Sequence, residues 1–305
     1  MRNYLLKRIA VSAFSLLGRV ILVFFLARMT GSPADLYLPI DVPNEVRREF
    51  AERHGLNEPI VWQFIHFIRD LVHLDLGQSL RLGRPALTLV VEAFPTTLLL
   101  ALFAMTLAIS ISIVTGALAA WRPGGLFDRI ATLLSLAAAS IPNFWIAIVG
   151  VIVFAVVLRV LPTSGTDTPL HWVLPIAVLF IRPCGLLVQV VRSSMLSALG
   201  AAFVKTARAK GVSTRTILFV HALRNAMLPV ITVAGDQAAG IINGAVVVET
   251  IFGFPGIGKL MIDSIIYRDF AVIQAGVLLT AILIFALNIG IDLLYAMLDP
   301  RIRHS

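Results

Sequence analysis

The stretch Gly253-Phe254-Pro255-Gly256-Ile257-Gly258-Lys259-Leu260 comes within one residue of a phosphate-binding loop. G-x-x-x-x-G-K needs Ser or Thr next, because that hydroxyl holds the magnesium ion of a bound nucleotide. Leu260 has none, so nucleotide binding is rejected here and a tight Gly/Pro turn is expected. No H-E-x-x-H and no G-x-S-x-G occurs, and the six His are scattered, so the chain is not read as an enzyme or a metal protein. The single Cys184 excludes an intrachain disulfide and a cysteine-built zinc site. No cofactor is expected. Energy for active transport would come from an ion gradient or another subunit.

The next candidates are charges in apolar surroundings. Arg19, Arg182 and Asp236 each interrupt a run otherwise long enough to cross a bilayer. An Arg or Asp at a helix centre costs roughly 2.5–3.5 kcal/mol on insertion scales. The apolar neighbours of the first segment outweigh that cost at about 0.3–0.6 kcal/mol each. Such residues snorkel, make polar contacts between helices, or line a path. Asp236, about eleven residues into its segment, is the possible pathway residue.

Residues 192–224 carry six basic side chains and no acidic one. Met195, Leu199 and Phe203 are spaced four apart, which predicts an apolar stripe on a helix. Lys205, Arg208 and Lys210 suit the negative end of that helix. Gly211 offers a left-handed stop and Ser213 an N-cap for a second short helix carrying Ile217, Leu218 and His221. The segment reads as helix–Gly–helix, serving either to fix topology or to contact a partner.

These segments must be held by membrane helices. Apolar residues make up 58% of the 305 and charged residues 14%, with mean hydropathy +0.92, which excludes both a soluble domain and a disordered chain. Ala93–Trp121 and Ile130–Leu158 each run 29 residues without charge, and Phe270–Ile291 runs 22. With the three interrupted segments this predicts an all-α integral membrane protein. Its six transmembrane helices fall at about 9–29, 97–121, 133–158, 172–191, 227–248 and 271–291. The basic amino terminus before residue 9 resembles a signal peptide. Its apolar part is interrupted by Arg19 and too long for one, so a retained helix is expected.

The net charge of +8 does not point to nucleic acid. Sorted by side it becomes +11 on the face holding both termini and residues 192–224, −5 on the other face and +2 within the spans. Positive residues stay inside, so both termini are expected in the cytoplasm. The outer loop 31–92 is predicted to hold an amphipathic helix, since Ile60, Phe64, Phe67, Ile68 and Leu71 recur at helical spacing. That helix would be a plug or lid, or would receive an outside partner. Gly240-Ile241-Ile242-Asn243-Gly244 suits close helix packing more than a subunit interface.

Phe203-Val204-Lys205-Thr206-Ala207-Arg208-Ala209-Lys210-Gly211-Val212-Ser213, with His221-Ala222-Leu223-Arg224-Asn225-Ala226 and Pro229, resembles the "EAA" loop. That loop marks permease subunits of binding-protein-dependent ABC importers. Asp75–Leu80, Val248–Gly258, Arg268-Asp269 and Asp292–Arg301 resemble the dipeptide/oligopeptide branch in the same order along nearly the whole chain. Lys205 and Thr206 replace Glu and Ala of the general pattern, and Ser32 stands where Asp is usual. Arg19, Arg182 and Asp236 stand where neutral residues are expected.

The resemblance implies an ABC type I importer permease-like fold in the bacterial inner membrane. It implies a second homologous permease subunit, two cytoplasmic ATPase subunits and a periplasmic solute-binding protein as partners, with lipid around them. Lys205, Thr206, Ala207, Arg208, Ala209, Lys210 and Gly211 would form the helix that docks on an ATPase. The solute would be a dipeptide, a longer peptide, glutathione or a nickel complex. An ion-coupled secondary transporter is the competing reading.

Overall fold

The computed structural model describes positions 14, 15, 17, 18, 20–22, 24, 25, 38, 42–53, 55, 57–79 and 81–298, with side chains described to Ile291. The described positions between 14 and 25 are helical; Arg19 and most of the expected first span lie outside the described residues. Ten helices follow. They are α1 (Asn44–Arg53), α2 (Ile60–Val72), α3 (Ala86–Trp121), α4 (Leu126–Ser140), α5 (Asn143–Gly150), α6 (Pro169–Gly200), α7 (Ala202–Ala209), α8 (Leu223–Phe252), α9 (Ile257–Ile266) and α10 (Phe270–Leu298). Among the described residues there is no strand, only an isolated bridge between Gln78 and Pro85.

Four described helical stretches are long and apolar enough to cross a membrane: Ala86–Trp121, Pro169–Gly200, Thr214–Phe252 and Phe270–Ile291. The stretch expected at 133–158 is instead a pair of helical segments, Leu126–Ser140 and Asn143–Val157, bent by 100°. Pro142 is the cause. Its ring disfavours helical backbone at Ile141, which sits at φ −81°, ψ 129°. Beyond α5 the turns of Val151–Val157 widen to a π-helix.

The chain divides into two compact units. One comprises the described residues up to Thr96 with Pro255–Phe285. Its core includes Val20, Leu76, Val90, Ile257, Val272 and Ala275. The helix predicted in the outer loop is α2, and its Phe64 and Phe67 rings each lie 5.3 Å from that of Phe24. Phe67, Ile68 and Leu71 are half-buried against that core, whereas Ile60 of the predicted stripe is exposed.

The other unit comprises Thr97–Phe254 and the residues from Ala286. Its core is centred on α6, with Val178, Leu179, Leu187, Val191 and Met195 buried. Small residues let backbones approach closely, as in membrane helix packing generally. A Cβ at Gly185 would stand 2.5 Å from the Ser135 carbonyl oxygen of α4, and one at Gly116 of α3 would stand 2.7 Å from Val191 Cβ. The two glycines of the G-x-x-x-G sequence behave differently. A Cβ at Gly244 would meet Asn143 Nδ2 at 3.1 Å, whereas Gly240 has nothing within 4 Å. Cys184 is buried, as a packed thiol.

Candidate coupling segment and translocation face

The segment 192–224 is built differently from the stripe predicted for it. Met195 and Leu199 lie on α6, but Phe203 lies on α7, because Ala201 is extended at φ −72°, ψ 155°. Met195 is therefore fully buried while Phe203 is 40% exposed. The carboxy end of α7 is as expected. Gly211 has φ +73°, in the left-handed region. Gly211 N–H donates to the Arg208 carbonyl at 3.0 Å and Val212 N–H to the Ala207 carbonyl at 3.1 Å. Those two bonds make a complete Schellman motif, which satisfies carbonyls the helix would leave unpaired.

Ser213 Oγ then accepts from Thr216 N–H at 3.4 Å. The second helix is not a separate short one. It runs from Thr214 through a π-helical turn, Ile217–Ala222, straight into α8.

Helix α7 is held on one face and open on the other. Val204 is fully buried and Ala207 half-buried. The Arg208 guanidinium lies 5.2 Å from the Trp121 ring centroid at the end of α3, a cation–π contact. Lys205, Thr206, Ala209 and Lys210 are exposed. Of the seven residues singled out from the sequence, Ala207, Arg208 and Gly211 thus set the helix in place. The remaining four present side chains outward.

Three buried polar pairs were not foreseen as such. At the start of α4, Asp128 has its side chain 4% exposed. It accepts from Arg192 Nη2 at 2.8 Å, also pairs with Arg192 Nε, and accepts from Gly124 N–H at 2.8 Å. This ties α4 to α6 close to where α6 leads into α7. In the same unit, Thr97 Oγ1 donates to Glu249 Oε1 at 2.6 Å. Glu249, expected in an outer loop, is fully buried because α8 continues to Phe252 and is closed by left-handed Gly253. In the first unit, the Ser79 hydroxyl donates to the buried Asp269 carboxyl, and Ser79 Oγ accepts from Leu82 N–H at 2.9 Å. Ser79, Glu249 and Asp269 all fall in family-like stretches. Their sequence separation hid the pairing of Ser79 with Asp269.

The near-miss phosphate loop is a turn. Phe254 is buried, its ring edge-on to Trp172 at 5.0 Å. Lys259 Nζ, which would reach a phosphate in a true loop, donates to Asp263 Oδ2 at 2.8 Å on its own helix. Arg182 and Asp236 are both exposed side chains on long helices, α6 and α8. No group that could hold a metal ion occurs among the described residues.

Long apolar helices are thus packed through glycines, with a short capped helix set off between two of them. Residues 112–304 match the family of the binding-protein-dependent transport system inner membrane component, and the chain belongs to that family. Over the whole of both chains it is 38% identical to an oligopeptide transport system permease protein, AppB, of Bacillus subtilis. It is 35% identical to a dipeptide transport system permease protein, DppB, of Escherichia coli, again over the whole of both. A chain of the MetNI methionine ABC transporter, in inward-facing conformations, superimposes with TM-score 0.60 at 16% identity. The match covers 69% of this chain and 96% of that one, a likeness of fold. This membership supports the permease reading over the ion-coupled carrier.

Proposed function

We propose that this chain is one of two permease subunits of an ABC importer for dipeptides or oligopeptides. Two separate ATPases hydrolyse the ATP, and a periplasmic binding protein delivers the solute. Both termini lie in the cytoplasm, and so does α7. Lys205, Thr206, Ala209 and Lys210 face the ATPase, while Ala207, Arg208 and Gly211 fix the helix that carries them. Closure of the ATPases on nucleotide pushes α7, and α6 and α8 follow because one extended residue joins α7 to α6 and a short turn joins it to the helical stretch from Thr214 that runs into α8. Asp236 lines the path.

One observation carries the reading. Helix α7 is separated from α6 by one extended residue and closed by a Schellman cap, with one face buried and one open. The whole-length similarity to permeases named for oligopeptides and dipeptides supports the solute class. The test is reconstitution with the candidate ATPases, partner permease and binding protein, followed by peptide-stimulated ATP turnover. Ala207→Glu and Gly211→Arg are expected to abolish the stimulation; full stimulation in both would overturn the docking role of α7. Cysteine labelling of the two termini from either side of sealed vesicles checks the orientation.

A further inference from the structure

One face of α8 remains open within its unit. Thr232, Asp236, Gly240, Asn243, Val247 and Thr250 are all exposed. At 3.6 residues per turn these six fall within an arc of roughly 80°, and they extend along roughly 27 Å of helix. That is close to the roughly 30 Å of a bilayer's hydrocarbon core. The opposite arc, including Val230, Ala234, Ile241, Ala245 and Val248, is buried. The open stripe is the more polar of the two, the reverse of what lipid selects. An aspartate facing lipid at mid-helix is disfavoured, and intramembrane ionisable groups face a bundle interior or a water-filled cavity.

Asp236 is also uncompensated. It makes no hydrogen bond or ion pair among the described residues, and Arg182 of α6 is not paired with it. Gly240, one turn further on, opens space beside it, with nothing within 4 Å of a Cβ built there. A lone carboxylate in a water-filled, low-dielectric channel attracts cations and repels anions more strongly than in bulk water.

We propose that the Thr232–Thr250 stripe of α8 lines the aqueous path and that Asp236 favours, among delivered solutes, those of net positive charge over those of net negative charge. The proposal rests on the permease reading above and adds to it the charge class of the solute at this point of the path.

The test uses the complete reconstituted importer in liposomes, with Cys184→Ser as background. Gly240→Cys places a thiol beside Asp236, and Asn243→Cys is a second reporter should the first fail to assemble. Initial labelling rates are measured with a trimethylammonium and with a sulfonate methanethiosulfonate reagent. The cationic reagent is expected to react about tenfold faster relative to free thiol, and Asp236→Asn is expected to remove that preference. Thiols inert to both reagents, as on a face covered by lipid or by the partner permease, overturn the path assignment. Equal preference with and without Asp236→Asn overturns the selectivity.

A transport arm compares a lysine-containing with a glutamate-containing dipeptide, each with its binding protein saturated. Asp236→Asn is expected to lower the uptake ratio severalfold, and an unchanged ratio counts against the proposal. Absence of peptide-stimulated ATP turnover in the unmodified assembly would sink the peptide-importer reading, while the labelling ratio would still read the stripe.

Discussion

Helix α8 carries two carboxylates thirteen residues apart, and they have opposite surroundings. Glu249 is fully buried and accepts a hydrogen bond from Thr97 across the core of its unit. Asp236 is exposed and makes no such bond among the described residues. The same contrast separates the helix's glycines: Gly235 leaves no room for a Cβ beside Ile291, whereas Gly240 faces open space. One face of α8 is thus packed and the other is open. An acid or a glycine by itself does not tell the faces apart, since each face holds one of each.

The contrast can be broken most severely at Glu249. Glu249→Ala removes the carboxylate that accepts from Thr97 and opens a cavity, costing about 3 kcal/mol. A fall of several degrees in apparent melting temperature of the detergent-solubilised assembly is the expected reading. Gly235→Val comes next. A Cβ there would lie 2.6 Å from Ile291 Cδ1, and overpacking of this kind costs about 1–3 kcal/mol, read in the same melt.

A smaller effect tests whether the same division holds on α7. Trp121→Leu removes the ring beneath Arg208, worth about 0.5–1 kcal/mol, and is expected to raise ATP turned over per solute imported more than it lowers stability. The smallest effect belongs to the open face. Asp236→Asn is expected to change stability by less than about 0.5 kcal/mol, as surface substitutions usually do. A loss comparable to that of Glu249→Ala would erase the distinction between the faces.

Much of the framework was legible because charge-free apolar runs have few other uses. The break between α4 and α5 was not, although Pro142 stood in the sequence. Pro95, Pro175, Pro183 and Pro229 all sit inside continuous helices. A proline in a membrane helix breaks it or passes unnoticed according to whether neighbours re-satisfy the freed backbone groups. Nothing in the residue itself tells which. Ala201, whose extended backbone ends α6, carries no local signal at all. Gly211 did, since a left-handed helix stop falls most readily on glycine.

Sequence by itself determined that the chain belongs in a membrane and where its basic residues cluster. It also determined that a capped helix ends at Gly211. These follow from composition, short-range periodicity and the conformational freedom of single residues. Tertiary structure decided which side of each helix is buried. It placed Glu249 in the core rather than in a loop, paired Asp128 with Arg192 and Ser79 with Asp269, and left Asp236 open. Those outcomes depend on which helices meet, and residues 64 to 190 positions apart come together only through packing.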